Sequence, residues 1–93
     1  MDNYNDDGMA IGKMLALLGQ KKLAVGAKQL RKALHNGVAE QVFLARNADP
    51  AITEPLVALS KKYGVSVHWV SSMRELGNAC GIEVGAAAAA TVA

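Results

Sequence analysis

The sequence has little cysteine and few aromatic residues. Cys80 is its one cysteine, so no disulfide can form within the chain. A chain without disulfides fits a reducing compartment, and we expect a cytoplasmic protein. Aromatic residues make up only 4% of the sequence and hydrophobic residues 52%, so the core must be built from Ala, Val, Leu and Ile. A chain this apolar is not an intrinsically disordered one.

Long apolar runs are also missing. The longest is about ten residues near the C-terminus, mostly alanine, and too short to span a bilayer. The N-terminus carries Asp2, Asp6 and Asp7 and lacks the basic and apolar regions of a secretory signal. We therefore expect no membrane partner. We also expect a disordered acidic tail over residues 1–8 and a single domain over residues 9–93.

Acidic residues are absent between Gly8 and Ala39, where the charge is entirely positive. That stretch contains six basic residues: Lys13, Lys21, Lys22, Lys28, Arg31 and Lys32. Outside the tail, the chain has ten basic and five acidic residues. A basic field on one side of a molecule suits a polyanionic partner such as RNA. The alternative is a basic surface that only keeps the protein in solution.

The motifs of enzymes and metalloproteins are missing as well. His35 and His68 stand alone in the sequence, and no Cys/His cluster has the spacing of metal ligands. The glycine-bearing run 77–81 lacks the Gly-Lys-Ser/Thr ending of a P-loop, and there is no dinucleotide-binding fingerprint. We therefore expect no catalytic residue, no metal and no cofactor, and we interpret Cys80 as a structural cysteine rather than a nucleophile.

What the sequence does contain is a regular alternation of helical and extended patterns. The apolar spacing predicts helices over 9–18, 27–36, 54–63 and 72–79, and strands over 23–25, 41–46, 65–70 and 86–92. The order α-β-α-β-α-β-α-β predicts an α/β fold, a three-layer α/β/α sandwich with a mixed four-stranded sheet.

Two segments allow more than one interpretation. Asp49 and Pro50 have the pattern of an N-cap followed by a proline at the first helical position, but Pro55 would then lie inside the helix. We predict a short turn at 50–53, with Thr53 as the cap of the main helix. Five consecutive alanines at 86–90 favour a helix by propensity. Because the alternation of elements requires a strand there, we predict a strand.

The run Gly26–Lys32 follows the first predicted strand and opens a helix. A helix N-terminus offers free backbone N–H groups and the positive end of the helix dipole. Lys28, Gln29 and Lys32 add two cations and an amide to what we take as its first turn, which has no acid. Such groups suit phosphates and base edges. Gln29 can donate and accept at once, although an ordinary solvated residue is the alternative.

Two runs carry a family resemblance: Gly26–Lys32 (GAKQLRK) and Leu76–Gly85 (LGNACGIEVG), together with the Ala48–Pro50 turn. They resemble the kink-turn-binding ribosomal proteins of the L-seven-Ae and L-thirty-e type, and most closely the small bacterial members. The resemblance covers roughly residues 12–92, and its second run is long and specific. It implies a monomeric, noncatalytic α/β/α protein. Its partner would be a kink-turn, a sharply bent element with tandem sheared G·A pairs, in ribosomal or other structured RNA.

The resemblance also implies which residues contact RNA. In the family, the start of the second helix reads the G·A pairs in a widened major groove, and the loop before the last strand packs on flipped-out nucleotides. The corresponding positions here are Gly26, Lys28, Gln29 and Lys32 in the first region, and Ile82, Glu83 and Val84 in the second. Arg31, which flanks the first region, is expected to contact phosphate. The archaeal pattern has Asn-Glu where this chain has Lys28-Gln29, which implies a different set of hydrogen bonds.

In the second region, Ile82 and Val84 would give apolar cover to an unstacked base, while Glu83 would position the loop or accept from a base or ribose. Entry of the last strand into the core is the alternative for Ile82 and Val84. The alternative function is a protein-interaction module of the same fold with little RNA affinity, because a fold alone does not determine function.

Overall fold

The computed structural model describes Leu18 and residues 21–93. Its elements in chain order are β1 (Leu23–Val25), α1 (Ala27–His35), β2 (Ala39–Ala45), α2 (Pro50–Lys62), β3 (Ser66–Val70), α3 (Met73–Ala79) and β4 (Ala88–Val92). The predicted tail over 1–8 and all but the last residue of the helix over 9–18 lie outside the described residues. The remaining helices and strands are confirmed, with shifts at their ends.

The four strands form one mixed sheet in the order β1-β4-β2-β3. β4 runs antiparallel to both of its neighbours, β1 and β2, whereas β2 and β3 are parallel. The last strand in sequence therefore lies inside the sheet, and β1 and β3 form its edges.

Two apolar clusters cover the two faces of this sheet. On one face, α1 and α2 pack Leu30, Leu34 and Leu56 against Val42, Leu44, Ala88 and Ala90. On the other face, α3 packs Leu76 against Phe43, Ala45, Val70 and Ala89, with Leu18 beside them. Neighbouring residues of β2 point to opposite faces, as the alternation of a strand requires. The three-layer α/β/α sandwich is thus confirmed.

The alanine run forms the strand that the order of elements predicts. Ala88, Ala89 and Ala90 are completely buried, because β4 is flanked by strands on both edges and covered on both faces. The strand begins at Ala88 rather than residue 86. Burial within the sheet outweighs the helix propensity of alanine, which is a weak preference that tertiary context often overrides.

The prediction that the next helix starts at Glu54 is wrong. Helix α2 begins at Pro50, and the Asp49 side chain caps it by accepting a hydrogen bond from Ala51 N at 2.9 Å. Thr53 is only 4% exposed and contributes to the core instead of capping. Pro55 lies inside the helix and removes one donor. Ala51 and Pro55 are both exposed, so water can satisfy the carbonyl that loses its partner.

Helix α3 begins at Met73 and is capped by the Ser72 side chain. Ser72 Oγ accepts from Glu75 N at 3.0 Å, while the Glu75 carboxylate accepts from the Ser71 hydroxyl. Gly77 is buried within this helix against the chain at Val84 and Gly85. The close approach of that backbone explains a glycine in the middle of a helix. No helix among the described residues is both long enough and apolar enough to cross a membrane.

Candidate nucleic-acid interface

The two regions expected to bind RNA meet at one end of the sheet. Gly26 N donates to Ala88 O at 2.8 Å, which joins the start of α1 to the start of β4. Ala45 N donates to Ala87 O at 2.9 Å, so the end of β2 lies there too. The loop that precedes β4, residues 80–87 (here the 80–87 loop), therefore emerges beside the N-terminus of α1. We call this end of the sheet the candidate site.

Gly26 sets the geometry of the helix start. Its φ of 100° and ψ of 155° lie in a region that residues with a side chain rarely adopt. Its carbonyl accepts from Leu30 N at 2.9 Å and so begins the hydrogen-bond ladder of α1. A glycine cap has no side chain to occupy the amides of the first turn, which are left to bind an oxygen from outside.

Helix α1 has one apolar face and one basic face. Leu30, Ala33 and Leu34 are buried against the sheet, whereas the predicted site residues of the helix are exposed: Lys28, Gln29, Arg31 and Lys32. No acid lies in the first turn. Lys32 belongs to the last turn of this nine-residue helix, not to the first as we expected. It still shares a face with Lys28, because residues four apart are neighbours on a helix surface.

The 80–87 loop divides its predicted site residues between the core and the surface. Ile82 is half-buried and packs against the cluster that contains Leu76, and its N–H donates to Gly77 O at 3.0 Å. Glu83 is exposed, and Val84 is 71% exposed. Val84 is therefore the exposed apolar side chain of this loop, whereas Ile82 anchors the loop to the core.

The end of β2 adds a cation that the sequence analysis did not assign to the site. Arg46 is exposed at the same end of the sheet, and its N–H donates to Val70 O at 2.8 Å. Next to it, Asn47 Oδ1 accepts from Met73 N at 2.8 Å and ties this turn to α3. The sequence signal for Arg46 was a basic residue directly after a buried strand. β1 and β2 run in the same direction, so both strands end at this edge of the sheet.

The surroundings of Cys80 are those of a structural cysteine. Burial raises the pKa of the Cys80 thiol above its ordinary value, whereas a nucleophilic cysteine requires a lowered one. Its side chain packs against the same core cluster as Ile82. No group of three or more metal-binding side chains occurs within Leu18 and residues 21–93.

Comparison with known proteins is consistent with this geometry. Residues 9–93 match the sequence profile of the Ribosomal protein L7Ae/L30e/S12e/Gadd45 family. An RNA-binding protein of Bacillus pumilus is 44% identical over 70 residues, which cover 75% of this chain and 85% of that protein. The large ribosomal subunit protein eL8 of Halobacterium salinarum is 44% identical over 69 residues, covering 73% of this chain and 58% of the archaeal protein.

Solved structures share the fold. The Giardia lamblia 15.5kD RNA binding protein superimposes with a TM-score of 0.78 at 29% sequence identity, covering 86% of this chain and 71% of the Giardia chain. A Bacillus halodurans protein of unknown function superimposes with the same TM-score at 26% identity, covering 85% of this chain and 83% of its own.

Proposed function

Because the chain belongs to the Ribosomal protein L7Ae/L30e/S12e/Gadd45 family, we propose that it is a noncatalytic RNA-binding protein that recognises a kink-turn in ribosomal or other structured RNA. The observation that carries the proposal is the hydrogen bond from Gly26 N to Ala88 O, which holds the N-terminus of α1 beside the 80–87 loop. One end of the sheet thus presents a basic helix start and an exposed apolar loop together.

The chemistry of this end suits a distorted RNA better than a regular duplex. The major groove of A-form RNA is too deep and narrow for side chains to read, so a protein must use bulges, loops and bent sites. A kink opens the groove and exposes the edges of non-Watson–Crick pairs. The start of α1 fits such an opening, because its exposed side chains project from a turn whose backbone amides have no side-chain cap.

Each exposed residue has a role in this proposal. Gln29 reads base edges, since its amide donates and accepts hydrogen bonds. Lys28 contacts guanine acceptors or phosphate, while Arg31 and Lys32 contact phosphates further along the helix. Val84 covers an unstacked base, and Glu83 accepts from a base or ribose. In this proposal the bend of the RNA lies at the candidate site, between the start of α1 and the 80–87 loop.

The first prediction concerns RNA specificity. We expect the protein to bind an intact kink-turn roughly ten- to a hundredfold more tightly than the same RNA with its G·A pairs replaced by Watson–Crick pairs. That range corresponds to about 1–3 kcal/mol of base discrimination. Gel-shift titrations of both RNAs at one salt concentration measure the ratio, because affinities at different salt concentrations are not comparable.

A plain duplex of the same length is the control for this comparison. It should bind as weakly as the RNA without G·A pairs. Equal affinity for all three RNAs would refute the kink-turn proposal and favour the alternative, a protein-interaction module of the same fold. In that case the basic surface of α1 would bind RNA only nonspecifically.

The second prediction separates the two apolar residues of the 80–87 loop. Ile82→Ala should lower the free energy of unfolding by about 2 kcal/mol, because Ile82 packs against the core. Val84→Ser should change stability by less than about 0.5 kcal/mol, since the side chain is mostly exposed. The serine variant should instead weaken RNA binding by about 1 kcal/mol through lost contact with a base.

Thermal melts of both variants and RNA titrations below their melting temperatures check this division. If Val84→Ser binds RNA like the parent protein while fully folded Ile82→Ala loses affinity, the apolar contact belongs to Ile82.

A further inference from the structure

Helix α1 connects the candidate site to the opposite end of the sheet. At the site, Gly26 N donates to Ala88 O; beyond the other end of the helix, Val38 O accepts from Ala93 N at 2.9 Å. The helix therefore spans the length of β4. Nine residues at 1.5 Å per residue make it about 13 Å long.

The exposed face of α1 is basic over this whole length. Lys28, Arg31, Lys32 and His35 are exposed. Arg31 and Lys32 each lie three or four positions from both Lys28 and His35, so the four residues form a continuous row on the helix surface. The buried positions Leu30, Ala33 and Leu34 face the sheet, and no residue of α1 is acidic. The row thus presents positive charge or hydrogen-bond donors at each turn.

Contacts between aromatic rings extend the row onto α2. His35 Nδ1 lies 2.9 Å from the Tyr63 hydroxyl, and the two rings meet edge to face with their centres 5.6 Å apart. Lys62 Nζ lies 5.7 Å from the centre of the Tyr63 ring. The end of α2 is therefore fixed beside the end of α1, and its exposed Lys61 and Lys62 continue the basic row.

We propose that this basic row, comprising Lys28, Arg31, Lys32, His35, Lys61 and Lys62, binds the phosphate backbone of one helical arm of the RNA. The inference rests on the proposed function, because the bend of that RNA occupies the start of the same helix. An arm leaving the candidate site along α1 would meet cations for the full length of the helix. Glu54 is the one acid on α1 and α2.

Charge complementarity and continuity both favour an RNA arm over other partners. Phosphate contacts by lysine and arginine position a nucleic acid without reading its sequence. The side chains of the basic row are long, exposed and regularly spaced, which suits such phosphate contacts. A partner protein would not need the row to begin at the residues that recognise the bend, whereas an arm that extends from the bend along α1 would pass directly over it.

RNA arm length provides the test. Three kink-turn RNAs are compared: one with both arms short, and two in which one arm or the other is extended. The parent protein should bind one of the two extended RNAs about three- to tenfold more tightly than the short one. The double variant K61Q/K62Q should lose that gain in affinity and bind the short RNA like the parent protein. On the extended RNA, its salt slope, which is the slope of log affinity against log salt concentration, should be smaller by about one or two units.

Arg74→Gln is the matched control, because Arg74 is an exposed cation on α3, which covers the opposite face of the sheet. The Arg74→Gln variant should keep the gain in affinity that the extended arm gives. Melting curves of both variants should match that of the parent protein, since all three positions are exposed.

Two outcomes would overturn the proposal: equal binding of short and extended RNAs by the parent protein, or an equal loss by K61Q/K62Q on all three RNAs. Either result leaves kink-turn recognition intact as long as the parent protein still prefers RNA with G·A pairs. Loss of that preference would instead refute the proposed function itself.

Discussion

Replacing Gly77 by alanine is expected to destabilise the domain by about 3 kcal/mol. Alanine in a helix is normally about 1 kcal/mol more favourable than glycine, so propensity alone predicts the opposite sign. Here an added Cβ would lie 2.1 Å from the Val84 carbonyl oxygen and 3.1 Å from Gly85 Cα. Both are backbone atoms, which cannot turn away as a side chain can. The 80–87 loop must move, and the candidate site must move with it.

Asn78→Ala is the matched control, because Asn78 is the next residue of the same helix and is exposed. It should alter stability by no more than about 0.5 kcal/mol. Urea denaturation of both variants measures the difference in the free energy of unfolding. A Gly77→Ala variant as stable as the parent protein would mean that α3 and the loop separate easily, and that Gly77 does not determine where the loop lies.

Gln29→Ala is expected to cost about 1–3 kcal/mol in binding to an intact kink-turn while costing little in binding to the RNA without G·A pairs. The reason is that an amide reading base edges contributes only where those edges are exposed. Gln29 lies on the exposed face of α1, one residue before the buried Leu30. Alanine is a strong helix former, so the variant should fold normally.

Arg31→Ala serves as the comparison, since Arg31 flanks the same face but is assigned to phosphate. It should weaken binding to both RNAs by a similar factor and lower the salt slope by about one unit. Titrations of the two variants against both RNAs at several salt concentrations distinguish base reading from phosphate contact. If Gln29→Ala weakens both RNAs equally, Gln29 does not read the G·A pairs.

The sequence was sufficient to predict the layers, because the side chains that face the core recur at a regular spacing along a helix or a strand. Strand alternation separates Val42 and Leu44 from Phe43 and Ala45, and the structure places these pairs in opposite clusters. The alanine strand was predictable only from the order of elements. Its own residues favour a helix, and its place between β1 and β2 is a property of the whole sheet.

The start of α2 was mispredicted because Pro55 was treated as a barrier to the helix. A proline costs a helix one hydrogen bond and can bend it. In α2 the proline lies on the exposed side, and the Asp49 cap and buried Thr53 stabilise the turn before it. Local sequence rules could not decide between the two starts, because the decisive fact is that Thr53 is buried rather than at the helix start.

The sequence analysis named residues that lie at the candidate site, although not Arg46, and it did not predict how they pack. Sequence placed Lys28, Gln29 and the 82–84 segment in it, yet gave no means to decide that Ile82 anchors the loop and Val84 is exposed. That division depends on the contact between Gly77 and the Val84 backbone. The contact between His35 and Tyr63 likewise joins residues 28 positions apart, which no local pattern specifies.

The position of β4 has a consequence for synthesis of the protein on the ribosome. Within the part of the chain that the structure describes, β1 pairs with β4 alone and Gly26 N has Ala88 O as its acceptor, so β1 lacks this partner until residues 88–92 have been made. The parallel pair of β2 and β3, connected by α2, has both of its strands much earlier. The apolar face of α1 can pack on β2 and α2 before β4 exists, but it lacks the cover of Ala88 and Ala90 until translation is nearly complete. The candidate site is complete only when β4 enters the gap between β1 and β2.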